Sequence, residues 1–375
     1  MKILLCSATD HNPVNILPLE SDHINPDLIY VAITERMQQQ GENLIAEFKI
    51  IGKKALALKI ENEQSLQALI QQYENWLLEH QDDEIIVNLT GGTKPMSIAG
   101  YQVFNGYGFR CFYQNLKPNQ LVWLDDETTI SDIGSKISLE RYLKSYQFDV
   151  VKKQKLHEVD SNYKKYAQLL YTELCKAGRY QHTCQLISKL NAHASEKNLP
   201  DLKDFSLTHD DEAFLIHLSY ETDLFKLRGN SIEWQTEQDR AFIAGGWIEY
   251  LTASLLSNDK YRDISLSVEI AKSTQRINAK TFQEIDVMAM QQQQLLMVEC
   301  KTINWRSSKN PSTYASEAIY KLSALGDIGG LNTKAVFVSL YDLPDAAKTR
   351  AAEHNIHVIA GQSAILQLKQ HLVSI

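Results

Sequence analysis

Glu284-Ile-Asp286-Val-Met-Ala-Met-Gln-Gln-Gln-Gln-Leu-Leu-Met-Val-Glu299-Cys-Lys301 consists of two apolar runs separated by four glutamines. Read as two strands with a tight turn at Gln292 and Gln293, the stretch sets Met290 against Leu295, Met288 against Met297 and Asp286 against Glu299 in antiparallel register. Side chains alternate across a strand, so Lys301 shares a face with Glu299 while Val298 and Cys300 point the other way. Two acids and a lysine are thus expected side by side near one end of a β-ribbon.

Carboxylates at that separation repel, so one of them binds a proton or a cation is drawn between them. Oxygen ligands with an open side suit a hard divalent ion, Mg2+ or Mn2+, with room for water and a phosphate oxygen. A neighbouring lysine orients that water or steadies developing charge. These are the parts needed for phosphodiester hydrolysis. A plain hairpin with charged rims and a solvated lysine would carry the same letters. The pattern resembles the PD-(D/E)xK nuclease superfamily, with Asp286 matching the first acid and Glu299-Cys300-Lys301 matching ExK.

At 375 residues the chain exceeds a typical single domain, and its 44% apolar and 22% charged residues are those of an ordinary globular protein. Two domains are expected. A net charge of -8 argues against a broad basic face for duplex, so nucleic-acid contact should be local, with a small or single-stranded substrate favoured. Five cysteines form no C-x-x-C pair and read as reduced core residues. The start, Met-Lys-Ile-Leu-Leu-Cys, is too soon polar for a signal peptide, and no run is long enough to span a bilayer; no membrane partner and a cytoplasmic location are expected.

The amino-terminal half alternates strands and helices. Ile3 to Cys6, Leu28 to Ile33 and Glu84 to Leu89 read as strands, and Gln64 to Glu79 and Ser97 to Phe104 as helices, which together imply a doubly wound, mostly parallel sheet. Ligands of such sheets sit beyond the strands' carboxyl ends. At one such end lies Thr90-Gly-Gly-Thr-Lys-Pro-Met96. Gly91 and Gly92 let the backbone turn with its amides exposed, Thr93 caps, Pro95 suits a first helical turn and Lys94 adds a cation. This is an anion cradle, although a simple strand-to-helix turn would look alike, and the Walker spacing is absent.

A strand ending in Leu-Thr-Gly-Gly-Thr-Lys-Pro-Met, a polar turn after the first strand and a distant ExK motif resemble a CRISPR-associated Rossmann-fold (CARF) sensor fused to a PD-(D/E)xK nuclease. The resemblance covers roughly residues 1 to 130 and 235 to 340. It implies a homodimer whose sensor domains bind one cyclic tetra-adenylate across the two-fold axis. Carried over by motif, Thr90, Gly91, Gly92, Thr93, Lys94 and Met96 belong to the ligand site, with Thr9 and Asn12 in the first turn, and Gln114 least securely. A two-fold ligand presents equivalent phosphates to two equivalent cradles, so Lys94 and the Thr90 to Met96 amides would each be used twice.

The resulting division is a Rossmann-like CARF domain over 1–130, a helical linker over 131–235 and a restriction-endonuclease-like α/β domain over 236–375. Ala241 to Leu256 reads as a helix apolar on more than one side, with Glu249 its single charge. Glu249 matches the glutamate of the G-x-W-x-E motif, which in the resembled family helps hold the metal. Lys272 to Lys280 and Thr302 to Lys309 read as polar, cationic loops suited to a phosphate backbone, with Trp305 placed to stack a base. Ser316 to Gly330 reads as a helix that carries Lys321, followed by a strand from Ala335 to Leu340.

The expected activity is therefore cleavage of single-stranded RNA or DNA, or nicking of DNA, by Asp286, Glu299, Glu249 and Lys301 with Mn2+ or Mg2+, gated by cyclic tetra-adenylate. Two rivals stay open. One is a sensor whose nuclease-like half only binds nucleic acid or a partner. The other is a ring nuclease that degrades its activator at the Lys94 cradle.

Overall fold

The computed structural model describes residues 1–375 except 11, 116–119, 126–129, 133–136, 196–206, 258, 273–282, 292–293, 308–309, 327 and 329–332. Contacts divide the chain into Met1–Phe148 and Asp149–Ile375.

The first unit is built on β1 (Lys2–Ser7), β2 (Leu28–Ile33), β3 (Ala55–Lys59), β4 (Glu84–Asn88) and β5 (Arg110–Asn115). They run parallel in the order β3-β2-β1-β4-β5, and β6 (Gln120–Trp123) and β7 (Ile130–Asp132) extend the sheet antiparallel beyond β5. The expected helix begins where Ser65 accepts the Ala68 amide and runs over Leu66–Leu78. Its Leu69, Tyr73 and Trp76 pack with Met96, Val103 and Phe104 onto Ile3, Leu5, Ile85 and Val87. Chain order reverses between β1 and β4, so the connections leaving their carboxyl ends diverge and open a crevice there.

The second unit is built on β8 (Phe148–Lys155), the hairpin β9 (Phe225–Arg228) and β10 (Ser231–Trp234), then β11 (Arg262–Lys272), β12 (Gln283–Gln291), β13 (Gln294–Lys301), β14 (Thr333–Ser339) and β15 (His357–Ala360). Its six-stranded sheet has the order β15-β14-β13-β12-β11-β8. The ribbon register is the expected one, with Met290 opposite Leu295 and Met288 opposite Met297. β14 and β15 follow in parallel.

The helical linker over 131–235 is corrected. Ser161–Cys175, Tyr180–Ser195 and His209–Thr222 are helices whose Tyr166, Leu170, Ile187 and Leu218 enter one core with Val287, Val298, Cys300 and Val336 of the second sheet. Central strands apolar on both faces need a cover on both, and on one face the helix Trp247–Leu256 lies on the sheet with these helices packed behind it. Residues 139–145 form a helix of the first unit, and β9 and β10 pair as an antiparallel hairpin of the second. The cationic loop from Lys272 to Lys280 lies largely outside the described residues.

A fragment spanning Asp149–Ile375 is accordingly expected to give a cooperative thermal melt by circular dichroism, whereas a fragment of 236–375, stripped of three covering helices, is expected to lose that transition. Equal cooperativity in both fragments would restore the linker reading.

Candidate active site and anion cradle

In the first unit, the two segments expected to bind a ligand follow β1 and β4, the neighbours at the switch point. The Thr90 amide and hydroxyl both donate to Asn88 Oδ1, at 3.0 and 2.6 Å, and Thr90 Oγ1 accepts the Gln114 amide at 2.8 Å. Asn88 in turn donates to the Val14 carbonyl and to Asn15 Oδ1, and Asn15 donates to the Ser7 carbonyl. This buried amide relay ties both connections together. Sequence reading missed it, because two asparagines so far apart carry no spacing signal.

The glycines have a steric reason. A Cβ at Gly91 would lie 2.8 Å from the Ser7 carbonyl oxygen, and one at Gly92, where φ is +83°, 2.9 Å from Ser7 Cβ. Thr93 caps the next helix by accepting the Met96 amide at 3.4 Å, and Ser97 Oγ donates toward the carbonyls of Leu89, Gly91 and Thr93. Lys94 is exposed and pairs with no described acid. Thr9 lies against Gly91, while Asn12 is buried with its Oδ1 lacking a described partner. Met96 differs from expectation: its side chain is buried in the core, so only its backbone belongs to the cradle.

In the second unit, the β12–β13 ladder ends at Val287–Val298, one step before the expected Asp286–Glu299 pair. Beyond that point the Cys300 amide donates to Asp286 Oδ2 at 2.7 Å. The carboxylate has replaced a backbone acceptor, so the strands splay while both acids stay on one side. Lys301 Nζ joins them, 2.5 Å from Glu299 Oε1 and 3.6 Å from Asp286 Oδ2. Lys321, from the helix Pro311–Gly326, comes within 3.8 Å of Glu299 Oε1.

Glu249 enters from a helical run that begins with Thr236 capping Asp239 and passes through a π turn over Phe242–Gly246 into Trp247–Leu256. Such a turn inserts one residue and rotates the following helix. Thr252, just under one turn beyond Glu249, meets Cys300 Sγ. Partly buried, Glu249 lines a cavity of about 280 Å³ with Glu284, Gln238 and Tyr163.

The charges show strong mutual influence. Burial and then the Asp286 charge push Glu249 up to about 8, against the opposing pull of Lys301. Burial and then Glu299 raise Asp286 to about 6, offset by Lys301, the Cys300 amide and Lys321. Burial works against the Lys301 ammonium, but Asp286 and Glu299 outweigh it and raise its pKa. Among the described residues no three His, Cys, Asp or Glu side chains converge as a ready-made metal cage. Glu249, Asp286 and Glu299 are brought within electrostatic range, with Lys301 bonded to Glu299.

One observation fits a divalent cation at this site: Glu299 is 2% exposed, yet its Oε2 has no described donor. A buried anionic oxygen without a partner is costly, and a divalent ion would answer it. The donor set, all oxygen, suits Mg2+ or Mn2+. Trp305 is corrected. It is buried, donates Nε1–H to Ser339 Oγ at 3.1 Å and packs against Phe337, so no base can stack on it.

A raised carboxyl pKa disfavours folding once the unfolded chain ionises. The Glu249 penalty therefore accrues upward from about pH 4.5 and levels off above about pH 8. Without divalent ions, Glu249→Gln should melt progressively above the parent as pH rises through that window. Parallel melting curves from pH 5 to 9 would contradict the buried-acid assignment.

Comparison with known proteins agrees with the geometry. Residues 11–142 match the model of the Card1 CARF domain, and residues 236–375 that of the Card1-like endonuclease domain. Can2 from Sulfobacillus thermosulfidooxidans, solved in complex with cyclic tetra-adenylate, is 20% identical with a TM-score of 0.79, over 100% of this chain and 99% of that one. Protein VC1899 from Vibrio cholerae is also 20% identical, with a TM-score of 0.83, over 100% and 97%. A type III CRISPR defence DNA nuclease activated by cyclic oligoadenylate is 15% identical with a TM-score of 0.55, over 91% and 46%. These likenesses are of fold. No curated protein sequence matches the chain. Among the described residues no helix is long and apolar enough to cross a membrane.

Proposed function

We propose that this chain, which belongs by both its domains to the Card1-like CARF endonucleases, is a metal-dependent phosphodiesterase switched on by cyclic tetra-adenylate. The observation that carries the reading is the splayed end of the β12–β13 ribbon, where Asp286 and Glu299 share Lys301 and Glu299 Oε2 lacks a donor. Asp286, Glu299 and Glu249 would hold Mg2+ or Mn2+, which when bound supplies a Lewis acid and a water of lowered pKa.

The chain's own residues do the rest. The Cys300 amide fixes the direction of the Asp286 carboxylate. Lys301, within reach of both acids, binds a phosphate oxygen and steadies the negative charge that grows on it. Lys321 adds a second cation beside Glu299 and favours an anionic substrate. Glu249 keeps its proton near neutral pH until further positive charge enters the site.

The activator fits the other unit. The Can2 complex supports cyclic tetra-adenylate as the ligand, and the Thr90 to Thr93 backbone with Lys94 offers amides and one cation to a phosphate. Thr9, which lies against Gly91, and Asn12 of the same turn complete the proposed ligand site. A homodimer would present two such cradles to one two-fold ring. Ring binding then shifts the population toward the cleaving state through its higher affinity for that state.

Purified chain is to be incubated with labelled single-stranded RNA, single-stranded DNA and plasmid, with Mn2+, with and without cyclic tetra-adenylate. Glu299→Gln should cut cleavage by about 10²-fold or more while leaving activator binding unchanged. Lys94→Ala should weaken activator binding by about 10- to 100-fold and leave the metal site intact. Undiminished cleavage by Glu299→Gln would sink the assignment of the nuclease centre.

A further inference from the structure

A second cavity of about 400 Å³ lies in the Asp149–Ile375 unit, at the carboxyl ends of β13, β14 and β15. Glu299 and Lys301 stand at that same end of β13. Its polar lining is Gln181, Gln185, Asn304, Arg306, Asp342 and Gln362, and Tyr180 and Tyr341 are walls. Both tyrosine hydroxyls are already engaged, Tyr180 donating to the Leu340 carbonyl and Tyr341 to the Cys184 carbonyl, so the aromatic walls are fixed. The volume lies within the range of small-ligand pockets and accepts one nucleotide unit.

Two features mark the cavity as built. Gly361 has φ +77°, and a Cβ there would fall 2.3 Å from Asp342 Oδ1, so the Asp342 carboxylate holds its place because residue 361 has no side chain. Asp342 and Arg306 line one cavity, yet neither has a side-chain hydrogen bond or ion pair among the described residues. Both side chains are solvent-exposed at the cavity, so a ligand can reach them and offer donors to one and acceptors to the other.

We propose that this cavity receives one unpaired base of the strand being cut, and that guanine fits it best. Guanine's N1–H and exocyclic amine give a carboxylate two parallel donors, while its O6 and N7 give a guanidinium two acceptors. The amides of Gln181, Gln185 and Gln362 have both donors and acceptors to complete the edges. Uracil and thymine lack the exocyclic amine that Asp342 would take. Single-stranded nucleic acid is read in this way, through base edges splayed from the stack. The inference rests on the nuclease reading and adds a specificity site to it.

The test uses full-length chain, cyclic tetra-adenylate and Mn2+ with a pool of single strands of random sequence, and cut ends are sequenced. The parent should favour guanine at one fixed position beside the cut, by about 5- to 100-fold over uracil or thymine. Asp342→Asn should erase that preference while overall turnover persists, and Arg306→Ala should weaken it. An unchanged cut-site distribution in Asp342→Asn overturns the proposal. Binding of labelled short oligonucleotides to the Glu299→Gln chain gives an independent reading, in which guanine-bearing strands should bind more tightly and Asp342→Asn should abolish the difference. If nothing is cut but this difference is seen, the nuclease reading fails and the pocket stands. If strands are cut but neither readout depends on Asp342, the pocket fails alone.

Discussion

The second unit depends on a conflict of charge that its fold confines and does not relieve. Asp286 and Glu299 lie at the end of two central strands, buried beside each other and beside Glu249, and one lysine ammonium stands between two of them. Desolvation makes every such charge more expensive, which is why two of the acids titrate far above ordinary carboxyls. The chain bears that cost on a sheet whose core is largely apolar. Cost concentrated at one strand end, with Lys301 and Lys321 gathered round it, is what supports the proposed site for a cation and a phosphate.

The splay of the ribbon explains how this comes about. Continued pairing would have set Asp286 and Glu299 as flanking side chains of an unbroken ladder. The Cys300 amide instead finds its acceptor in the Asp286 side chain, so the strands part without leaving a buried donor unsatisfied. β13 keeps its order by pairing with β14 through Lys301–Ser339, which holds Glu299 and Lys301 rigidly in place. In the first unit a comparable device, the Asn88–Asn15–Ser7 relay, positions the glycine loop beyond β4.

Much of this was legible in the sequence because period-two patterning and a glutamine break fix ribbon register, and register fixes which letters share a face. Thr90 to Lys94 was legible because glycine, proline and threonine each have a local backbone reason to stand there. Failures came where the deciding neighbour was remote. Trp305, between cations, looks exposed until Ser339 and Phe337 are known to lie beneath it. The helices between 161 and 222 looked like a linker because their apolar faces acquire meaning only against the helical run over 242–256 and the core it shares with the sheet. The π turn before Glu249, and the end of pairing at Val287, leave no trace in spacing at all.

The account turns on whether the buried acids hold a divalent ion. Calorimetric titration of the full chain with Mn2+ at neutral pH tests this directly, with proton release followed in buffers of different ionisation enthalpy. Binding that releases protons from the parent and disappears in Glu299→Gln is the expected result. Absence of Mn2+ binding by the parent, or equal binding by Glu299→Gln, would contradict it.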